Sequence, residues 1–315
     1  MKKFWKKTSL FLVTAAMTVS APLMAWALEH DIVILHTNDI HCGINDNIGF
    51  DGLAQIKKDA LARTPNVALV DAGDAIQGAP IGKLSRGLAV VDIMNYLGYD
   101  FCIPGNHEFD YGMDRFMELV PLQRAGYYCA NFVYAGNNKQ VLPGYKIMQY
   151  EDTKVAFVGA STPESLTTST PTFFQNEKGK YIYSFCEDKT GNKLYKQLQK
   201  NIDKARKDGA GYVFIVGHLG MDGTTPQWSS ESVAKNTQGV DAVIDGHSHE
   251  RFTRMVKNKV GKDVLLAQTG TKLKTVGELV ITPNGKLKSQ LITESNGKDA
   301  NIARVIAQEI KTYCL

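Results

Sequence analysis

Beyond Met24 the chain has no apolar run long enough to cross a bilayer. It has no internal repeat, no low-complexity tract and no stretch that reads as an interdomain linker. Cysteine is sparse. Cys42, Cys102, Cys129, Cys186 and Cys314 are odd in number and scattered, which excludes a disulfide scaffold. Cys102 and Cys129 fall on segments expected to be neighbouring strands and can pair, but buried thiols are the better reading. Charge of one sign is missing too. Four lysines and no acid lie in the first 27 residues, so the 36 basic residues of the whole chain fall to 32 beyond them, equal to its 32 acidic residues. The formal +4 belongs to that leader, and no basic excess remains to argue for a nucleic acid polymer or a membrane surface as partner.

The leader itself is informative. Lys2, Lys3, Lys6 and Lys7 precede an apolar stretch from Leu10 to Met24, followed by Ala25-Trp26-Ala27. A basic segment, an apolar segment and an A-x-A site make a secretory signal peptide, cleaved after Ala27. The competing reading is an uncleaved anchor helix. Thr14, Thr18, Ser20 and Pro22 break the run, which is short for a span. The expectation is a soluble protein, periplasmic or secreted, made of residues 28–315. That length admits a single large α/β domain.

Short apolar runs alternate with helical spacing in the first half. Residues 31–36 and 67–70 are nearly continuous apolar runs, as expected of strands covered on both faces. Leu53, Ile56, Ala60 and Leu61 share one face of a helix over 53–63, and a second helix is expected over 90–97. Residues 99–103 form a third strand, 113–124 a helix and 127–133 a fourth strand. The pattern then changes. Residues 144–150 and 154–160 read as an antiparallel pair, and 161–180 as a long Thr-rich loop. A strongly amphipathic helix covers 192–207. Strands follow at 213–216, 240–244, 264–267, 275–281 and 287–292, then a helix at 300–311.

Chemistry concentrates where strands end. The first exit carries Asp39 and His41, the second Asp74, and the third Asn106, His107 and Asp110. Two later exits carry His218, then His247 and His249. Five of the seven histidines therefore lie just past an expected strand, each within three residues of Gly or Asp. In open α/β sheets this is the edge where ligands bind. Asp39, His41, Asp74, Asn106, His218, His247 and His249 are seven candidate ligands, more than one four-coordinate ion takes. They suit two ions if Asp74, on the strand between the first and third motifs, bridges. Two divalent ions about 3.5–4 Å apart can clamp the attacking and leaving oxygens of a phosphoryl displacement. Imidazole, carboxylate and amide donors suit Mn, Zn, Fe or Co alike. Cys42, next to His41, reads as a packed small residue in preference to a thiolate ligand. Asp110 also stands where a helix N-cap would.

These residues carry a resemblance. Asp39-x-His41, Gly73-Asp74, Gly105-Asn106-His107-Glu108, Gly217-His218 and Gly246-His247-x-His249 resemble the calcineurin-like metallophosphoesterase superfamily. The longer strings from Ile34 to His41 and from Gly105 to Gly112 are similar to the 5′-nucleotidase family, which includes UDP-sugar hydrolases and 2′,3′-cyclic nucleotide phosphodiesterases. The similarity runs from about Ile32 to Ile281. It implies a four-layer α-β-β-α sandwich, two mixed sheets flanked by helices, and hydrolysis of a small-molecule phosphoester, with a nucleotide expected. It implies a first metal held by Asp39, His41, Asp74 and His249, and a second held by Asp74, Asn106, His218 and His247. Position 249 is often Gln in the family. His107, paired with Asp110, would stabilise the transition state or protonate the leaving group, and Asn106 and His107 would contact substrate. Bacterial members carry a C-terminal domain that binds the nucleoside. It is expected to be absent here or supplied by a separate chain, which leaves nucleotide specificity to analogy. An idle metal- or partner-binding half-enzyme and a thiosulfohydrolase-like activity on a sulfur ester are the alternatives.

Overall fold

A computed structural model describes residues 28–221 and 225–314. The expected leader, residues 1–27, lies outside them. Two mixed sheets face each other. In the first, of order β13-β12-β1-β2-β3, the strands are β1 (Ile32–Thr37), β2 (Val67–Asp71), β3 (Phe101–Cys102), β12 (Val276–Ile281) and β13 (Leu287–Ile292). In the second, of order β10-β11-β9-β8-β6-β5, they are β5 (Tyr145–Tyr150), β6 (Thr153–Ser161), β8 (Tyr212–His218), β9 (Ala242–Ile244), β10 (Arg251–Lys257) and β11 (Asp263–Thr269). In the first sheet β1, β2 and β3 run parallel while β12 and β13 pair antiparallel on the other side of β1; in the second the centre is parallel and both edge pairs are antiparallel. A small ribbon, β4 (Val133–Tyr134) with β7 (Tyr183–Ser184), stands apart.

Strand alternation sorts the apolar residues into layers. Ile32, Ile34, Phe157, Phe214, Val216 and Ile244 fill the space between the sheets. Val33 and Leu35, on the other face of β1, pack beneath α1 (Gly49–Arg63), α3 (Leu88–Leu97) and α8 (Ala300–Cys314), with α2 (Pro80–Ser85) alongside. Val213, Ile215 and Val243 pack beneath α6 (Asn192–Lys207) and α7 (Ser230–Asn236). The result is the expected α-β-β-α order. Among the described residues no helix is long and apolar enough to cross a membrane.

Several expectations need correction. Residues 127–133 are not a fourth sheet strand. The segment begins with an isolated bridge, Tyr127 to Cys102, then Ala130 N donates to Gly159 O, so it spans from one sheet to the other before Val133 joins the small β4–β7 ribbon. Leu61 is 48% exposed, so the buried face of α1 is Leu53, Ile56 and Ala60. The helix expected over 113–124 stops as α4 (Met113–Leu119), and a 3-10 turn follows at Val120–Leu122, where Pro121 removes a backbone donor. The Thr-rich segment is not wholly loop. It holds α5 (Ser165–Thr168) and a turn at Pro171–Phe174, whose Phe174 is fully buried. All five cysteines are free. Cys102 and Cys129 are buried thiols, and Cys129 bonds to Asn131 and Ser161.

Candidate metal centre

The parallel strands of both sheets end at one edge, and the candidate residues sit in the turns just past them. Five of these residues have a left-handed backbone: Asp39 (φ 51°), His41 (47°), Asp74 (57°), His247 (81°) and His249 (56°). Asp and His tolerate this region better than bulky residues, but each still costs of order 1–3 kcal/mol. Such turns aim neighbouring side chains at one point.

Hydrogen bonds hold them there. Asn38 Nδ2 donates to Asp39 Oδ2 and to Gly270 O, while its Oδ1 accepts from Thr269 N. His247 N also donates to Asp39 Oδ2 (2.9 Å), so the Asp39 carboxylate is fixed through one oxygen and the other faces the centre. Glu108 does more. Its buried carboxylate accepts from Asp74 N, Ala75 N and Gly105 N at 2.8, 2.8 and 2.6 Å, tying the second and third loops together. The loops touch so closely that a Cβ on Gly105 would lie 2.2 Å from Asp74 Oδ1, and one on Gly73 2.5 Å from Gly105 N. Phe109, next in sequence, is buried against Phe116, Phe132, Phe174 and Phe185, which anchors the loop to the core.

The imidazole tautomers follow from their partners. A carbonyl only accepts, so His218 Nδ1 donates to Ala72 O (2.8 Å) and His41 Nδ1 to Gln77 O (3.1 Å). In the neutral ring each Nε2 then offers a lone pair inward. His218 Nε2 lies 3.1 Å from Asp74 Oδ2, and His41 Nε2 3.9 Å from the same oxygen. His249 Nε2 lies 3.1 Å from both Asp39 Oδ1 and His41 Nε2. Two groups emerge, Asp39 with His41 and His249, and Asp74 with His218 and His247. Within each, the donor atoms lie within 4.8 Å of one another.

The donor set fits a metal. Asp39 Oδ1, Asn106 Oδ1 and His218 Nε2 are buried with no hydrogen-bond partner. Buried polar atoms are rarely left so, because each unmade bond costs about 1–3 kcal/mol. Asp39 Oδ1 and His218 Nε2 lie 3.9 Å apart, as atoms that share an ion can. Charge agrees. Burial alone would lower His218, yet the Asp74 and Asp39 carboxylates outweigh it and raise it to about 10. Burial opposes ionisation of Asp74, but the His218, His107 and His41 imidazoles hold it below the usual carboxylate range. The centre attracts positive charge, and a divalent cation can replace the proton on His218.

His107 stands apart from these groups. Its Nδ1 is 2.6 Å from Asp110 Oδ2, while its backbone N donates to Asp74 Oδ1. The hydrogen bond to Asp110 raises His107 to about 9, which favours its cationic form. Asp110 is not the N-cap of α4. The cap position of α4 is Gly112, and Asp110 Oδ1 instead accepts from Ser169 Oγ. Burial raises the Cys42 thiol to about 12, consistent with a packed residue. His36 is sealed in the core and His30 pairs with Glu151 at the surface. Sequence reasoning gave no role to Asn38, Glu108 or Glu164. The first two lie inside the motifs. Glu164 follows β6, whose exit onto this edge was hidden because β6 read as half of an antiparallel pair.

Comparison with known proteins identifies relatives of the chain and of its fold. Snake venom 5′-nucleotidase from Gloydius brevicauda is 28% identical over 259 residues, 76% of this chain and 40% of that protein. The 2′,3′-cyclic-nucleotide 2′-phosphodiesterase/3′-nucleotidase of Haemophilus influenzae is 26% identical over 272 residues, again 76% and 40%. The chain thus spans about 40% of the length of these curated relatives. A 5′-nucleotidase precursor from Thermus thermophilus superposes over 90% of this chain and 59% of its own, with a TM-score of 0.75 at 23% identity, a likeness of fold. The profile of the calcineurin-like phosphoesterase family matches residues 32–251, from β1 through the His247–His249 turn, and the chain belongs to that family.

Proposed function

We propose that this chain hydrolyses small-molecule phosphoesters, a nucleotide among them, with two divalent ions. Asp39, His41, Asp74 and His249 would hold one ion, and Asp74, Asn106, His218 and His247 the other. The observation that carries the reading is the pair Asp39 Oδ1 and His218 Nε2, both buried without a hydrogen-bond partner and 3.9 Å apart, with Asn106 Oδ1 likewise buried and unpartnered. Family membership and the nucleotide-hydrolysing relatives support the same class of reaction.

Bound there, divalent ions supply Lewis acidity toward the phosphoryl oxygens and the attacking water. The chain's own residues do the rest. Asp74 joins the two groups, its Oδ2 facing both His41 and His218. Glu108 fixes the loops that carry Asp74 and Asn106, so the donors need no rearrangement when charge develops. His107 presents a cationic imidazole beside the centre, oriented by Asp110, where it can stabilise negative charge on the phosphoryl group or give a proton to the leaving oxygen.

The first test is turnover of p-nitrophenyl phosphate, bis-p-nitrophenyl phosphate and AMP by residues 28–315 with added Mn, alongside metal analysis. Two ions per chain and hydrolysis of a phosphate ester are expected. An intact fold with neither would refute the proposal. Comparing AMP, GMP and UMP with an aryl phosphate tests nucleoside specificity. We also propose export by the leader, with residues 28–315 as the catalytic domain; N-terminal sequencing of the extracted protein checks cleavage after Ala27.

A further inference from the structure

We infer that Glu164 is a positioning residue for the centre, holding the His247 imidazole so that its Nδ1 is free to face the second ion. The inference rests on the two-ion reading above. β6 runs parallel to β8, and Thr162, just past its end, donates its backbone N–H to the carbonyl of His218 (2.8 Å). This hangs the following residues on a ligand-bearing strand. Glu164 N then donates to Thr162 Oγ1, which turns the side chain inward, where it is only 7% exposed.

The two carboxylate oxygens have separate partners. Oε1 accepts from Thr225 N at 2.9 Å, and Oε2 lies 3.4 Å from His247 Nε2. A carboxylate accepts, so Nε2 is the nitrogen that carries the proton, and the lone pair is left on Nδ1. Glu164 is not itself a member of either donor group. Gly220 also comes so close to the ring that a Cβ there would lie 3.1 Å from His247 Cδ2. His247 also sits at φ 81°. Its ring is thus confined by Gly220 and tied by Glu164, and its tautomer is chosen by the carboxylate. A carboxylate that receives the far N–H of a ligating imidazole fixes its orientation and raises its basicity, and losing it costs metal affinity about 10–100-fold.

Glu164→Gln separates this role from a merely structural one. A glutamine can still accept from Thr225 N, but it turns an N–H toward His247 Nε2, favouring a proton on Nδ1. Two measurements on residues 28–315 are paired. Long-range nitrogen–proton NMR of the metal-free protein reads the His247 tautomer. Manganese titration followed by isothermal calorimetry and EPR reads the number of ions and whether they are spin-coupled. The expected result is an Nε2–H tautomer in the wild type that shifts toward Nδ1–H in Glu164→Gln. At free Mn where the wild type holds two coupled ions, the variant should hold one, with second-ion affinity lowered about 10–100-fold and melting temperature unchanged. Glu164→Ala, which loses both bonds, should lower the melting temperature as well. A wild type that binds fewer than two ions would overturn the two-ion reading. A wild type with two ions and a Glu164→Gln variant that keeps both at the same affinity and tautomer would overturn this inference alone.

Discussion

The first sheet and the second contribute different chemistry to one edge. From the ends of β1, β2 and β3 come both carboxylates of the donor set, Asp39 and Asp74, with Asn106, His41 and the His107–Asp110 pair. From β8 and β9 come only imidazoles, His218, His247 and His249. The first half is held mainly by backbone donors, those Glu108 collects and the His107 N–H on Asp74. The second half is locked to the first across the seam, by His218 Nδ1 on Ala72 O and by His247 N on Asp39 Oδ2. Each candidate group draws donors from both halves, Asp39 and His41 with His249, and Asp74 with His218 and His247. The centre therefore forms only when the apolar layer between the sheets closes.

The strongest way to break this division is to remove charge from the first half. Asp74→Asn keeps the shape of the side chain but deletes the negative charge that faces His41 and His218. Activity should fall below the assay background, and metal content toward one ion per chain or none. Two ions retained at wild-type affinity, read by metal analysis, would rule out the bridging role.

A smaller loss is expected where the first half acts on substrate instead of metal. His107→Ala should reduce turnover roughly 10²–10⁴-fold, the range for a positioned acid–base or electrostatic group. Both ions should stay bound, since His107 belongs to neither donor group. Loss of an ion in this variant would move His107 into the ligand set.

The two halves also differed in how far they could be read from sequence. Strands β1 and β2 are continuous apolar runs, and the first half's ligands follow β1, β2 and β3 directly, so that half was legible residue by residue. In the second half the ligand motifs were equally plain, but their scaffold was not. β6 follows β5 after a two-residue turn, which reads as a hairpin, and its second, parallel partner β8 lies some 50 residues on and leaves no local signature. β10 is an edge strand with mostly exposed residues, and nothing in its spacing marks it. Glu164 was invisible for the same reason, because its role depends on which strand ends where. Asp110 shows the converse: its position before a helix suggested a cap beside the expected pairing with His107, and only the geometry showed Ser169 as its other partner.

Beneath the first half, His36 on β1 is fully buried with both ring nitrogens unpartnered, and burial lowers it to about 3. The folded state keeps it neutral, whereas the unfolded chain takes up a proton near pH 6.5. Stability from this group is complete above pH 6.5 and is lost as pH falls toward 3, by about 1.4 kcal/mol for each pH unit. His36→Asn removes the titration. The gap between wild-type and variant unfolding free energies should shrink at that rate on acidification, as read from denaturant melts. A gap independent of pH would show that the ring is hydrated in the folded protein.

The mildest prediction sharpens the comparison by making one replacement in two places. His249 lies at the rim with its side chain 44% exposed, held only by Asp39 and His41. His218 is fully buried, bonded to Ala72 O, with its ring centroid 5.0 Å from that of the tilted His247 ring. A glutamine at 249 can still offer an amide oxygen to an ion, and water can fill the space the ring leaves. Turnover of His249→Gln should stay within about tenfold of wild type, a difference of about 1.4 kcal/mol, with both ions bound. At 218 the same side chain must accept from an ion and donate to Ala72 O through one amide, in a volume shaped for a ring and closed to water. His218→Gln should therefore lose second-ion affinity at least about tenfold, as metal ligands do when their orientation is disturbed. Equal losses at the two positions would mean that the rim and the buried half constrain their ligands alike, and that burial is not what makes the second half rigid.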